Sequence, residues 1–127
     1  MQFHKENTIP PKGWIWVFGS NLGGRHGSGA AAVARSNFGA QYGQGVGRTG
    51  DAYGIPTRDR NLRVLTLTVI AASIRVFVWY AQQNPKLKFF VTRADYVLAG
   101  HSDKDVATFF SGVPDNCSMP EEWREYL

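Results

Sequence analysis

The chain of 127 residues holds a single cysteine, Cys117. One thiol excludes a disulfide framework, a cysteine-rich zinc site and a CxxC redox motif, and the flanking Asn116 and Ser118 read as the surroundings of an inert group. The three histidines, His4, His26 and His101, have no metal-ligand spacing with acids or with Cys117, so no metal is expected. No apolar run reaches the ~20 residues of a membrane span; the longest, around Val76–Ala81, is short and interrupted on both sides. The opening residues lack the apolar stretch of a secretory signal. A Walker A pattern is missing, and so are the signatures of the common nucleic-acid-binding modules. These absences lead us to expect a soluble cytoplasmic protein with no membrane partner and no cofactor.

Acidic residues are also scarce over most of the chain. Residues 1–94 carry 12 Lys and Arg against only Glu6, Asp51 and Asp59; residues 95–127 carry Lys104 and Arg124 against seven acids. The basic part would attract an anionic ligand. Its arginines are dispersed, many of them beside glycines, which suits a small phosphorylated ligand better than a nucleic-acid track. With 43% hydrophobic and 19% charged residues, the chain reads as one globular domain spanning residues 1–127.

Glycine is abundant and localised: eleven of the 14 lie between Gly19 and Gly54. Around them the pattern predicts alternating strands and helices. Trp14–Phe18 reads as a buried strand, Ser28–Phe38 as an alanine-rich helix with Gly39 past its end, and Ala52–Ile55 as a short strand. Ile70, Ile74, Phe77, Val78 and Ala81 follow helical spacing, with Thr66 or Thr68 as cap and Pro85 as stop. Leu87–Thr92 reads as a strand and Arg93–His101 as a loop. Ser102–Asp105 opens a helix through Phe110, and Ser118–Glu121 reads as the cap of a short C-terminal helix. This order predicts an α/β fold with a mixed, largely parallel sheet flanked by helices in three layers.

A glycine loop that leaves a parallel strand and feeds a helix N-terminus is where open α/β folds bind ligands. Free N–H groups and the helix dipole there favour phosphate. Gly23, Gly24, Gly27 and Gly29 would let the backbone wrap such a ligand closely. Gly27-x-Gly29-x-x-Ala32 nominally matches GxGxxA, but eight residues separate Phe18 from Gly27, too many for a Rossmann first turn.

The runs VFGSNLGGRHGSGAA (Val17–Ala31), YGQGVG (Tyr42–Gly47), YGIPTRDRNL (Tyr53–Leu62) and the VTR…LAG…D…FF stretch resemble a family of small phage and bacterial proteins related to macro domains. The resemblance extends from about residue 14 to 124. It implies a macro-like domain that binds ADP-ribose or a related nucleotide, with hydrolysis of an ADP-ribose conjugate as an associated activity. It places the ligand against Gly19, Ser20, Asn21, Gly23, Gly24, Gly27, Ser28 and Gly29, with Gly45, Val46 and Gly47 from the second glycine loop. A late phosphate loop over Thr92–Gly100 would add Arg93, Ala99 and Gly100. That loop is glycine-rich in the family; here Asp95, Tyr96 and Val97 stand in it, so that Asp95 would repel a pyrophosphate and Tyr96 would crowd it.

For catalysis the candidates are Asn21, His26 and Asp51. Asn21 could bond a ribose hydroxyl or orient a water, or close its own loop as an Asx-turn. His26 and His101 could donate protons or contact a ring. Asp51 or Asp59 could activate a water, or serve respectively as a turn residue and an arginine partner. Phe38, Tyr42 and Tyr53 could stack on a base or fill the core. Two other function classes remain: a non-enzymatic nucleotide sensor or sponge of phage origin, and a nucleic-acid binder, which the missing module signatures disfavour.

Overall fold

The computed structural model describes all residues, Met1–Leu127. Its strands are β1 (Gln2–His4), β2 (Ile15–Asn21), β3 (Gly47–Thr49), β4 (Ala52–Arg58), β5 (Phe89–Val91) and β6 (Cys117–Pro120). The helices are α1 (Gly29–Asn37), α2 (Leu67–Gln83), α3 (Ala94–Leu98) and α4 (Asp103–Phe109), followed by a C-terminal 3-10 helix, Glu121–Tyr126. The strands form one sheet in the order β1-β6-β5-β2-β4-β3, parallel throughout except for the β3–β4 pair.

Alternation along the strands builds two cores, one on each face of the sheet. Ile15 and Val17 of β2, Tyr53 and Ile55 of β4, and Phe89 and Val91 of β5 pack against α2, α4 and the 3-10 helix. Trp16, Phe18 and Phe90 face the other way, against Ala31 and Ala34 of α1. Helices therefore cover both faces of a mixed, mostly parallel sheet, giving an α/β fold of three layers. No helix is long and apolar enough to cross a membrane.

The small residues of α1 let it lie close to the sheet, and Trp16 Nε1 donates to the Ala30 carbonyl at 2.9 Å. In α2, all five residues of the predicted apolar stripe are buried, Thr66 caps the start and Asn84 ends it. Ser102 caps α4 by accepting from the Asp105 N–H.

Several elements depart from the sequence expectation, and β1 and β3 are not part of it. β2 and β4 each run about three residues past their apolar stretches, because Gly19–Asn21 pair with Ile55–Arg58. Pro56 is tolerated there because β3 reaches only to Gly54, so no neighbour on that side needs its missing N–H. Arg93–His101 is not wholly a loop, since Ala94–Leu98 makes a turn and a half of helix. Ser118–Pro120 is strand and not helix cap: β6 pairs with β5 and with β1, and the helix starts only at Glu121.

Candidate functional site

The parallel strands β2, β4 and β5 end on the same edge of the sheet, and two clefts open there on either side of the α1 N-terminus. The first, about 410 Å³, is polar; Gly19, Ser20 and Asn21 from β2, Arg25, Gly27 and Ser28 from the loop, Ala31, Thr57, Arg58, Leu62 and Asp95 line it. The second, about 380 Å³, has an aromatic floor of His4, Trp16 and Phe90. Its walls are the Lys5–Ile9 segment, Gly29, Ala30 and Val33 of α1, and Thr92–Ala94, with Pro120 and Glu122 at the rim.

The α1 N-terminus between them is bare. Its first N–H groups have no intrahelical acceptor, Ser28 makes no capping hydrogen bond, and the first turn holds no acidic residue. Gly27 has nothing within 4 Å of where a Cβ would stand. Gly29 adopts φ +58°, a conformation that L side chains rarely take.

The loop below is held firmly. Asn21 Nδ2 donates to the Arg25 carbonyl at 2.8 Å, and its Oδ1 accepts from the Arg25 N–H at 3.0 Å. The side chain thus lines the polar cleft while closing its own loop. The two glycine loops meet: the Gly43 N–H donates to the Gly24 carbonyl, and the Ser20 hydroxyl donates to the Gly45 carbonyl. A Cβ at Gly24 or Gly45 would collide with the facing backbone, so these two glycines are needed for loop-on-loop contact.

The remaining sequence candidates lie elsewhere. Gly45 buttresses the first loop, Val46 is exposed and Gly47 opens β3; none of the three lines either cleft. His26 is 3% exposed, set beneath the loop edge-on to Phe18 and Tyr42, and burial lowers its pKa. Asp51 precedes β4, at the opposite end of the sheet from the clefts, with Arg48 at 3.9 Å. Asp59 is a turn residue that accepts from the Asn61 and Arg63 N–H groups rather than pairing with an arginine. Ala99 and Gly100 close the α3 C-terminus, outside both clefts. Phe38 and Tyr53 are core residues, whereas Tyr42 is exposed beneath the Arg35 guanidinium.

Arg93 lies on the aromatic cleft but is engaged. Nε and Nη2 bond both oxygens of Asp103 at 2.7 Å, and Nη1 reaches Glu6 at 3.3 Å. Asp103 also accepts from Trp123 Nε1, and the Arg93 guanidinium holds its carboxyl below the usual range.

Asp95 and Tyr96 separate sharply. Tyr96 turns away into the core against Phe110 and Trp123, so it does not crowd the edge. Asp95 turns toward the cleft. Burial pushes its carboxyl up to about 6, opposed by the Arg58 charge and the Gly19 N–H.

The aromatic floor escapes the sequence pattern. His4 stacks on Phe90 with ring centroids 3.7 Å apart, Trp16 stacks on Phe90 at 5.6 Å, and Phe38 stacks on Trp16 at 5.1 Å. The alternation of Trp14–Phe18 hints that Trp16 opposes Ile15 and Val17, but nothing local brings His4 to it. Comparison with protein-family models, with curated proteins and with solved structures finds no match to this chain.

Proposed function

We propose that the chain binds ADP-ribose or a closely related nucleoside diphosphate across the two clefts. The observation that carries this reading is the uncapped α1 N-terminus, flanked by an aromatic-floored cleft on one side and a polar cleft on the other. An ADP-ribose-like ligand has the same order of parts: a flat base, a diphosphate and a hydroxyl-rich sugar. The base would suit Trp16, Phe90 and the imidazole of His4, the diphosphate the bare N–H groups beside Gly27 and Gly29, and the distal ribose the cleft of Ser20, Asn21, Thr57 and Arg58. Arg25 and Arg58 add positive charge on the polar side.

Binding is better supported than hydrolysis. The amide of Asn21 is engaged by Arg25, His26 is covered, and Asp51 stands at the far end of the sheet.

The test is a melting-temperature screen against ADP-ribose, NAD, cyclic dinucleotides and a short RNA. ADP-ribose at 100 times its dissociation constant should add about 2.7 kcal/mol of stability. The gain should survive moderate salt, since a polyanion binder would lose affinity steeply over the same range. Absence of any nucleotide-dependent shift, or a shift by RNA alone, would overturn the reading.

A further inference from the structure

Resting on the diphosphate reading, we propose that Asp95 couples binding to proton uptake: the ligand's phosphate takes its place beside the α1 N-terminus only with the Asp95 carboxyl neutral, so one proton enters with each ligand.

The geometry places the carboxyl of α3 in the polar cleft, close to the α1 N-terminus. Its Oδ1 stands 3.8 Å from where a Cβ of Gly29 would be, and its Cβ stands 2.5 Å from the corresponding point at Gly19. Gly19 is therefore side-chain-free where Asp95 fills the space. Oδ2 is buried with no hydrogen-bond partner. Helix α1, with no acid in its own first turn, thus faces a carboxylate supplied by α3.

Few charges answer it. From β4 comes Arg58, whose guanidinium is shared with the Leu62 and Leu98 carbonyls. From β2 comes only the Gly19 N–H, and from the loop Arg25 lines the same cleft. The first turn of α1 brings no acid, and Asp103 of α4 is held by Arg93 and Trp123. On α3 itself Tyr96 points into the core.

The doubly esterified diphosphate of ADP-ribose carries two negative charges between pH 5 and 8, and neither titrates there. Set beside an ionised, desolvated carboxylate, it meets like-charge repulsion that water cannot fully screen. Protonation removes the repulsion and turns Asp95 into an O–H donor toward a phosphate oxygen. Since burial already brings this carboxyl to about 6, the proton is available near neutral pH.

Calorimetry with ADP-ribose from pH 5 to 8 tests the coupling. The parent should bind with constant affinity below about pH 5.5 and lose close to tenfold per pH unit above about 6.5. At pH 7.5, titration in two buffers of different protonation enthalpy should report uptake of about one proton. Asp95→Asn, with Asp95→Ser as a second variant, should bind at pH 8 about as tightly as the parent at pH 5, with a flat profile. A parent that binds ADP-ribose equally at pH 5 and 8, or variants that keep the parent's slope, would overturn the coupling alone. No binding at pH 5 by the parent or either variant would overturn the ligand reading together with it.

Discussion

At the scale of single residues, the glycines of the first loop have different reasons to be glycine, and only some of those reasons concern a ligand. Gly24 and Gly45 are required by backbone-to-backbone contact between the loops, and Gly29 by its positive φ. A valine at Gly29 would therefore mix a strained fold with any loss of binding. Gly27 is free of both constraints: its φ is ordinary, and empty space surrounds the point where a side chain would begin. Gly27→Val should melt within a few degrees of the parent, yet lower ADP-ribose affinity tenfold or more by calorimetry, because the added side chain enters the polar cleft. Unchanged affinity would remove the first loop from the site. The sequence showed that glycines cluster here, but φ and facing atoms decide which glycine does what. In the same way Asn21 was legible as a polar residue at a strand end, while the choice of Arg25 as its partner depends on how the loop folds back.

Elements set by local pattern were readable, and those set by distant pairing were not. α2 carries its stripe, cap and stop within one stretch, so its buried face follows from spacing alone. β1 has no such signal. It exists because Gln2–His4 pair with Ser118–Pro120, more than a hundred residues away. The same pairing makes Ser118–Pro120 strand, although Ser-x-x-Glu there reads locally as a helix cap. His4 fastens this edge: Nε2 donates to the Val91 carbonyl at 2.8 Å, Nδ1 lies 2.7 Å from the Ser118 hydroxyl, and the ring stacks on Phe90. The neutral tautomer with hydrogen on Nε2 satisfies both bonds, the hydroxyl donating to Nδ1. His4→Ala should cost roughly 1–3 kcal/mol in urea unfolding, from two lost hydrogen bonds and one stacked ring. It should also speed hydrogen exchange over residues 2–4. An unchanged urea midpoint would show that the His4 side chain contributes nothing to the fold.

Over the whole molecule, the groups that burial perturbs pull stability in opposite directions with pH. His4, lowered to about 4, and His26, also lowered, are neutral in the fold and protonate first when unfolded. Their stabilisation is full above the ordinary histidine value of 6.5 and is lost as pH falls below it, for His4 down to about 4. Asp95 works the other way. Raised from 3.8 to about 6, it holds its proton longer in the fold than in the unfolded chain. Its contribution is greatest below 3.8 and is lost as pH rises through about 6, so at pH 8 the folded protein carries the whole penalty of a desolvated carboxylate. That difference corresponds to about 3 kcal/mol at most. Urea unfolding at intervals from pH 4.5 to 8 should therefore show only a shallow rise in stability that levels off above about pH 7, because over the acid half of that range the gain from the histidines and the loss from Asp95 run against each other. Asp95→Asn removes the titrating group and keeps the shape, so it should lift the plateau and exceed the parent at pH 8. The acid side, governed by His4 and His26, should decline in the variant as well, and more steeply than in the parent because Asp95 no longer offsets it. An Asp95→Asn variant that matches the parent at pH 8 and shares its slope at acid pH would mean that the Arg58 charge and the Gly19 N–H fully offset the burial of Asp95. The carboxylate could then sit ionised at the α1 N-terminus at no cost to the fold.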